Sequence, residues 1–120
     1  MTQTQMTQEK ADHFVETWIA AWNRHDLDTI MSMCHDEVEF ESGFLVSMFD
    51  VPSGKLHGKA ELRRWFAKSV EGGTIHIDPP IHVLISIDTV CLVESIGGTI
   101  AANVFTLDEA GLITRSIVHG

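Results

Sequence analysis

Four side chains have a type and setting suited to moving a proton or polarising a carbonyl group: His76, Asn103, Glu41 and Asp50. His76 lies between Ile75 and Ile77, so in an extended segment it points away from them, toward the side of Thr74 and Asp78. A neutral imidazole there can take or give a proton near pH 7, with Asp78 orienting the ring, for a gain of roughly 10²–10⁴-fold. The plainer alternative is a partly exposed histidine at a strand end, with Asp78 opening the bend at Pro79 and Pro80. Asn103 shares a strand face with Ala101, Phe105 and Leu107. An amide among such neighbours costs a few kcal/mol unless it is hydrogen-bonded. It therefore binds a ligand carbonyl, or it satisfies a backbone group or a water. Glu41 ends a short strand and Asp50 lies in an apolar connection. Desolvation would raise either carboxyl toward the range of a general base, whereas most such acids are simply hydrated. Glu39 alternates to the same side as Glu41 and reads as exposed.

An apolar wall is available for these groups. Trp18, Trp22 and Trp65, with Phe40, Phe44, Met48 and Phe105, form the expected pocket wall, although aromatic residues at helical spacing are usually plain core. In a hollow fold, core and pocket wall are the same surface, and the guest it suits is a small, flat, hydrophobic molecule. Other chemistries find no support. The seven histidines form no His-x-His or His-x₃-His pair, so no metal site is expected. Gly72–Gly73 and Gly97–Gly98 read as turns rather than phosphate loops, and no Gly-x-Ser-x-Gly elbow is present. The chemistry expected needs no cofactor.

Amphipathic helices and alternating strands position these residues. From Glu9 to Arg24, Phe14, Val15, Trp18, Ile19 and Trp22 recur at steps of three and four, one stripe of a helix. Asp26 is a good N-cap for a shorter second helix with Leu27, Ile30, Met31 and Cys34 on one face. Residues 38–41 alternate as a strand, and residues 42–57 form a long, apolar connection of the kind that folds over something. A third helix is expected over Lys59–Val70. Strands follow at 74–77, 81–87, 90–96, 99–107 and 112–119, with a two-residue hairpin at Gly97–Gly98. Helices thus segregate from an antiparallel sheet, the α+β class. The strand from Ile100 to Phe105 is apolar on both faces, and helices can cover only one. A homodimer through the sheet supplies the other layer.

The totals agree with one domain. Residues 1–8 read as a flexible polar tail and 9–120 as a single domain. The formal charge of −9, from 17 acidic and 8 basic residues, disfavours a nucleic-acid partner. No apolar run approaches the roughly 20 residues that cross a bilayer, and no export signal precedes the first helix, so a cytoplasmic protein without a membrane partner is expected. There Cys34 and Cys91 are free thiols rather than a disulfide.

The stretches Phe14–Phe40, Gly58–Phe66 and Val104–Arg115 resemble SnoaL-like polyketide cyclases and ketosteroid isomerases of the nuclear transport factor 2-like superfamily. The resemblance implies a cystatin-like roll: a cone-shaped, curved, mixed or antiparallel sheet wrapped around three N-terminal helices. It implies isomerase, cyclase or dehydratase (lyase) chemistry on a hydrophobic carbonyl compound, or a non-catalytic ligand-binding or dimerisation domain of the same fold. The residue pattern departs from the isomerases. The position of their oxyanion-binding Tyr falls on Trp18, that of their Asp base on Ser42, and that of their protonated Asp on Asn103. Steroid isomerisation by that route is not expected. The paired Asp and Arg of limonene epoxide hydrolases likewise find Ala101 and Asn103. A looser similarity to scytalone dehydratase aligns its His with His76 and its pocket Asn with Asn103, but its first-helix Asp with Ala20.

Overall fold

Thr7 opens the first helix by accepting a hydrogen bond from the Lys10 amide, which satisfies one of the free amides of the first turn. The structure, a computed structural model, describes residues 5–120, so the first half of the expected tail lies outside the described residues. Of the rest, the Met6 amide donates to the Ile87 carbonyl at 2.9 Å. Helix α1 spans Gln8–Asn23, and its apolar stripe buries Phe14, Val15, Trp18, Ala21 and Trp22. Asp26 caps α2, Leu27–Ser32, through the Thr29 amide, and the Thr29 hydroxyl donates to the same carboxylate. These bonds hold the Asp26 carboxyl below its ordinary range.

Three segments depart from expectation. Cys34 ends no helix; it starts a long strand, β1, Cys34–Ser42. The connection 42–57 is not a loop. Ser42 caps a short helix α3, Gly43–Met48, and Lys55–His57 forms strand β2, which pairs with Glu39–Glu41. Helix α4, Lys59–Glu71, follows. Residues 74–77 make no strand; only Ile77 bridges to Ile96, because Pro79 and Pro80 have no amides with which to extend the pairing. What fixes this segment is α1: the Asn23 amide group donates to the Ile77 carbonyl at 2.9 Å and accepts from the Ile77 amide at 2.7 Å.

Strands β3 (His82–Ile85), β4 (Thr89–Ile96), β5 (Thr99–Leu107) and β6 (Ile113–His119) complete a six-stranded sheet in the order β2-β1-β6-β5-β4-β3. Only β1 and β6 pair in parallel, which makes the sheet mixed. The β4–β5 hairpin turns on Gly97 and Gly98, both at positive φ, where a side chain would be strained. The helices cover one face of the sheet. On the other, Leu84, Cys91, Val104 and Ile117 stand side by side in register, next to a second row of His82, Val93, Ala102 and His119. These side chains are half-buried or exposed, Leu84 at 57%. Cys34 and Cys91 are both free thiols.

Candidate functional site

Strand alternation sends Val90, Leu92 and Glu94 of β4 to the helix-covered face, with Ala101, Asn103, Phe105 and Leu107 of β5. Across the strands they form transverse rows. Phe40, Ser116, Phe105 and Val90 make one; Ser42, Val118, Asn103 and Leu92 the next; Ala101 and Glu94 a third. Gly120 lies against Ala101, so small groups flank the carboxylate. Four polar side chains are buried among the described residues: Ser42, Glu94, Asn103 and Ser116. All four lie in these adjacent rows.

Glu94 is 2% exposed, and its Oε2 is enclosed without a hydrogen-bond partner. Burial alone pushes its carboxyl from 4.5 up to about 7, since ionising it here forfeits hydration that nothing replaces. At neutral pH both forms are populated, so the group can give or take a proton. Asn103, also buried, accepts a 2.7 Å hydrogen bond from the Ser116 hydroxyl at Oδ1. That bond orients the amide and leaves its nitrogen as the donor for a ligand. Ser42, where an isomerase base would fall, caps α3 through the Phe44 amide.

The other expected site residues divide between core and surface. Trp18 packs edge-on to Trp22, Phe66 and Phe105 with ring centroids 5.1–6.5 Å apart, and Phe40 meets Phe66 at 5.2 Å. The interior beside Asn103 is thus filled by aromatic rings. Trp65 is half-buried against Phe49, with the Lys68 ammonium 4.3 Å above its ring. Phe44 is half-buried, whereas Met48 and Asp50 are exposed, and Asp50 has a positive φ. His76 is in solvent, 3.6 Å from an equally open Asp78, so the pair does not reach the interior. Glu41 lies on the outer side of β1, 3.8 Å from Lys55. It borders a surface cleft of about 410 Å³ together with Glu39, His57 and Arg115. A second cleft of about 650 Å³ opens between Lys10, His13, Phe14, Met33 and Leu107. Neither cleft is lined by Asn103 or Glu94.

Sequence reasoning missed Glu94. The signal was present: Val90, Leu92 and Glu94 occupy alternate positions of a strand whose first two members are plainly buried. Among the described residues no group of three or more His, Cys, Asp or Glu side chains could hold a metal ion. Nor is any helix among the described residues long and apolar enough to cross a membrane.

Comparison with known proteins follows the same outline. The family profile of the SnoaL-like domain matches residues 15–116. A SnoaL-like protein of unknown function from Burkholderia thailandensis is 30% identical, with a TM-score of 0.90 over 97% of this chain and 98% of that one. An NTF2-like protein of unknown function from Cytophaga hutchinsonii is 18% identical, with a TM-score of 0.68 over 98% and 93%. The epoxide hydrolase/cyclase-like enzyme SalBIII, with a role in pyran ring formation in the polyether salinomycin, is 23% identical. Its TM-score is 0.74 over 93% and 91%. No curated protein matches the sequence.

Proposed function

The chain belongs to the SnoaL-like domain family, and from that premise we propose that it is a cofactor-independent enzyme of proton transfer on a small hydrophobic carbonyl compound. One observation carries the reading: a fully buried carboxyl, Glu94, with one oxygen unpartnered and no counter-charge, beside an oriented amide. A fold has no structural reason to retain such a group, because an apolar residue of similar size would be cheaper. As a carboxylate, Glu94 removes a proton from the carbon next to the carbonyl, while the Asn103 amide donates to the oxygen that gains charge. Returning that proton to another carbon is isomerisation; expelling a β-hydroxyl with it is dehydration; attack of the enolate on a second carbonyl is aldol-type cyclisation. The acid/base role expected of His76, Glu41 or Asp50 passes to Glu94, the one carboxyl of this set inside the fold.

The test is α-proton exchange into deuterated water for a panel of flat aromatic ketones, followed by NMR. Native protein is expected to accelerate exchange for at least one, with a rate set by a group titrating near neutrality. Glu94→Gln should slow it by about 10²-fold or more. Equal rates for the two proteins would remove Glu94 from the chemistry. The packed aromatic interior is what favours the alternative, a non-catalytic ligand-binding or dimerisation domain, and it predicts no exchange with any ketone. A homodimer through the outer sheet face belongs to either reading, supported by the apolar rows there.

A further inference from the structure

Opposite charges line the larger cleft without pairing. This cleft lies at the far end of the sheet from Glu94: Ala101, which pairs with Glu94, precedes Leu107 by about 20 Å along β5. One wall is α1, where the exposed Lys10 and His13 share a helix face. The other is built by two turns, with Asp88 between β3 and β4 and Asp108 and Glu109 between β5 and β6. Asp108 is fixed there, because its Oδ1 accepts from the Ala110 and Leu112 amides at 2.9 Å; Oδ2 is left for a ligand. Among the described residues none of these five side chains joins an ion pair, although both signs border one cleft of about 650 Å³. The walls therefore stand too far apart for direct contact. Between them the lining is apolar: Phe14 and Leu107 are buried and Met33 is half-buried.

We infer that this cleft binds a small zwitterion with an apolar body, about the size of a dipeptide. Simpler ligands fit it less well. An anion alone, phosphate included, meets three carboxylates, and a cation alone leaves Lys10 and His13 without a partner. A molecule with both charges sets its carboxylate against Lys10 and its ammonium against Asp88, Asp108 and Glu109, with charge-assisted hydrogen bonds at each end. Its apolar side chains cover Phe14, Met33 and Leu107. A free amino acid carries both charges on one carbon, whereas a further residue separates them by up to about 3.5 Å more, which suits walls too distant to pair directly. The volume also falls in the range of pockets for ligands larger than one amino acid. Neither Glu94 nor Asn103 lines this cleft, so the zwitterion site and the proton-transfer site stand or fall separately.

Leucyl-phenylalanine, its N-acetyl derivative and its C-terminal amide carry both charges, the negative charge alone and the positive charge alone. Each is titrated into the native chain at neutral pH, with binding read from ¹H–¹⁵N spectra. The dipeptide is expected to bind about tenfold or more tighter than either analogue, since each analogue forfeits a charge-assisted contact. It should shift the amide signals of Lys10, His13 and residues 106–111. Lys10→Gln should weaken dipeptide binding about tenfold and leave the amide analogue unchanged. Asp88→Asn with Glu109→Gln should weaken the dipeptide and the amide alike and spare the N-acetyl compound. All three side chains are exposed, so these variants keep the fold, and the comparison of ligands is in any case read on native protein. Equal affinity for the three compounds, no binding of the dipeptide, or a zwitterion preference that survives both variants overturns the inference. Signals that move at Ala101 and Asn103 instead, with binding lost in Glu94→Gln, would place the ligand in the inner rows and overturn it too. Dipeptide binding that ignores Glu94→Gln is expected whether or not that variant slows ketone exchange.

Discussion

A carboxyl buried without a counter-charge ties the stability of the whole domain to pH. In the folded chain Glu94 holds its proton up to about 7, whereas an unfolded chain releases it near 4.5. Between those values the native state binds more protons, so stability falls as pH rises; the stabilisation is complete below the lower value and lost above the upper one. The span corresponds to about 3 kcal/mol. Urea unfolding at pH 5 and pH 8 should show that decline in native protein, and Glu94→Gln should flatten it while stabilising the pH 8 state by about 1–3 kcal/mol. A variant that keeps the full slope would place the titrating group elsewhere. The amide beside it behaves oppositely. Ser116→Ala removes the bond that orients Asn103 and is expected to cost about 1–2 kcal/mol in the same assay. At this scale the sequence was half legible. Period-two alternation correctly turns Asn103 inward with Ala101, Phe105 and Leu107, and it turns His76 away from Ile75 and Ile77. It cannot say that nothing covers the side His76 faces, because cover comes from elements distant in sequence.

Helices and hairpins declare themselves by local pattern, and the departures fall where pairing is non-local. The first helix, helix α4 at 59–71 and the Gly97–Gly98 hairpin follow from period, cap and turn chemistry. Strand β2 exists only because β1 offers Glu39–Glu41 as a partner, and β1 extends back to Cys34 only because β6 runs parallel beside it. Neither has a signal within its own residues. The segment at 74–77 shows the converse: it alternates like a strand, yet it is held by Asn23 and by the His25 ring, 3.1 Å from the Ile75 carbonyl, rather than by a ladder. Asn23→Ala is therefore expected to cost about 2 kcal/mol, two hydrogen bonds to partly buried backbone. Hydrogen exchange should speed up at the Ile77 amide while α1 stays protected. Uniform acceleration across α1 and the sheet would mean that the clamp holds the global fold and not this segment alone.

For the molecule as a whole, the unsettled surface is the outer side of the sheet. An isolated domain would leave Leu84, Val93, Val104 and Ile117 on a face that no helix covers, in rows that register across β3, β4, β5 and β6. A contiguous apolar strip on a sheet is a poor face to leave in water, and a second copy of the chain offers the same strip to it under twofold symmetry. Charge does not oppose this. The row that holds Ile117 continues into Glu41 and Lys55, which pair with each other at 3.8 Å, and Glu39 faces Arg115 in the neighbouring row, so the strip ends in matched charges. Light scattering should give twice the chain mass for native protein. Val104→Lys should give the monomer mass, with helical circular dichroism retained, because a lysine at the centre of the strip desolvates in the dimer and can reach water in the monomer. A native monomer would leave the strip to another partner. A Val104→Lys dimer would move the interface off the sheet. A dimer through this face would also bear on the site: Val104 and Ile117 are sequence neighbours of Asn103 and Ser116 on the opposite face, so a surface pressed on the outer rows would stiffen the strands that hold the inner amide. Val104→Lys should accordingly slow ketone α-proton exchange even though residue 104 faces away from the interior, and an unchanged rate would show that the inner rows need no such support.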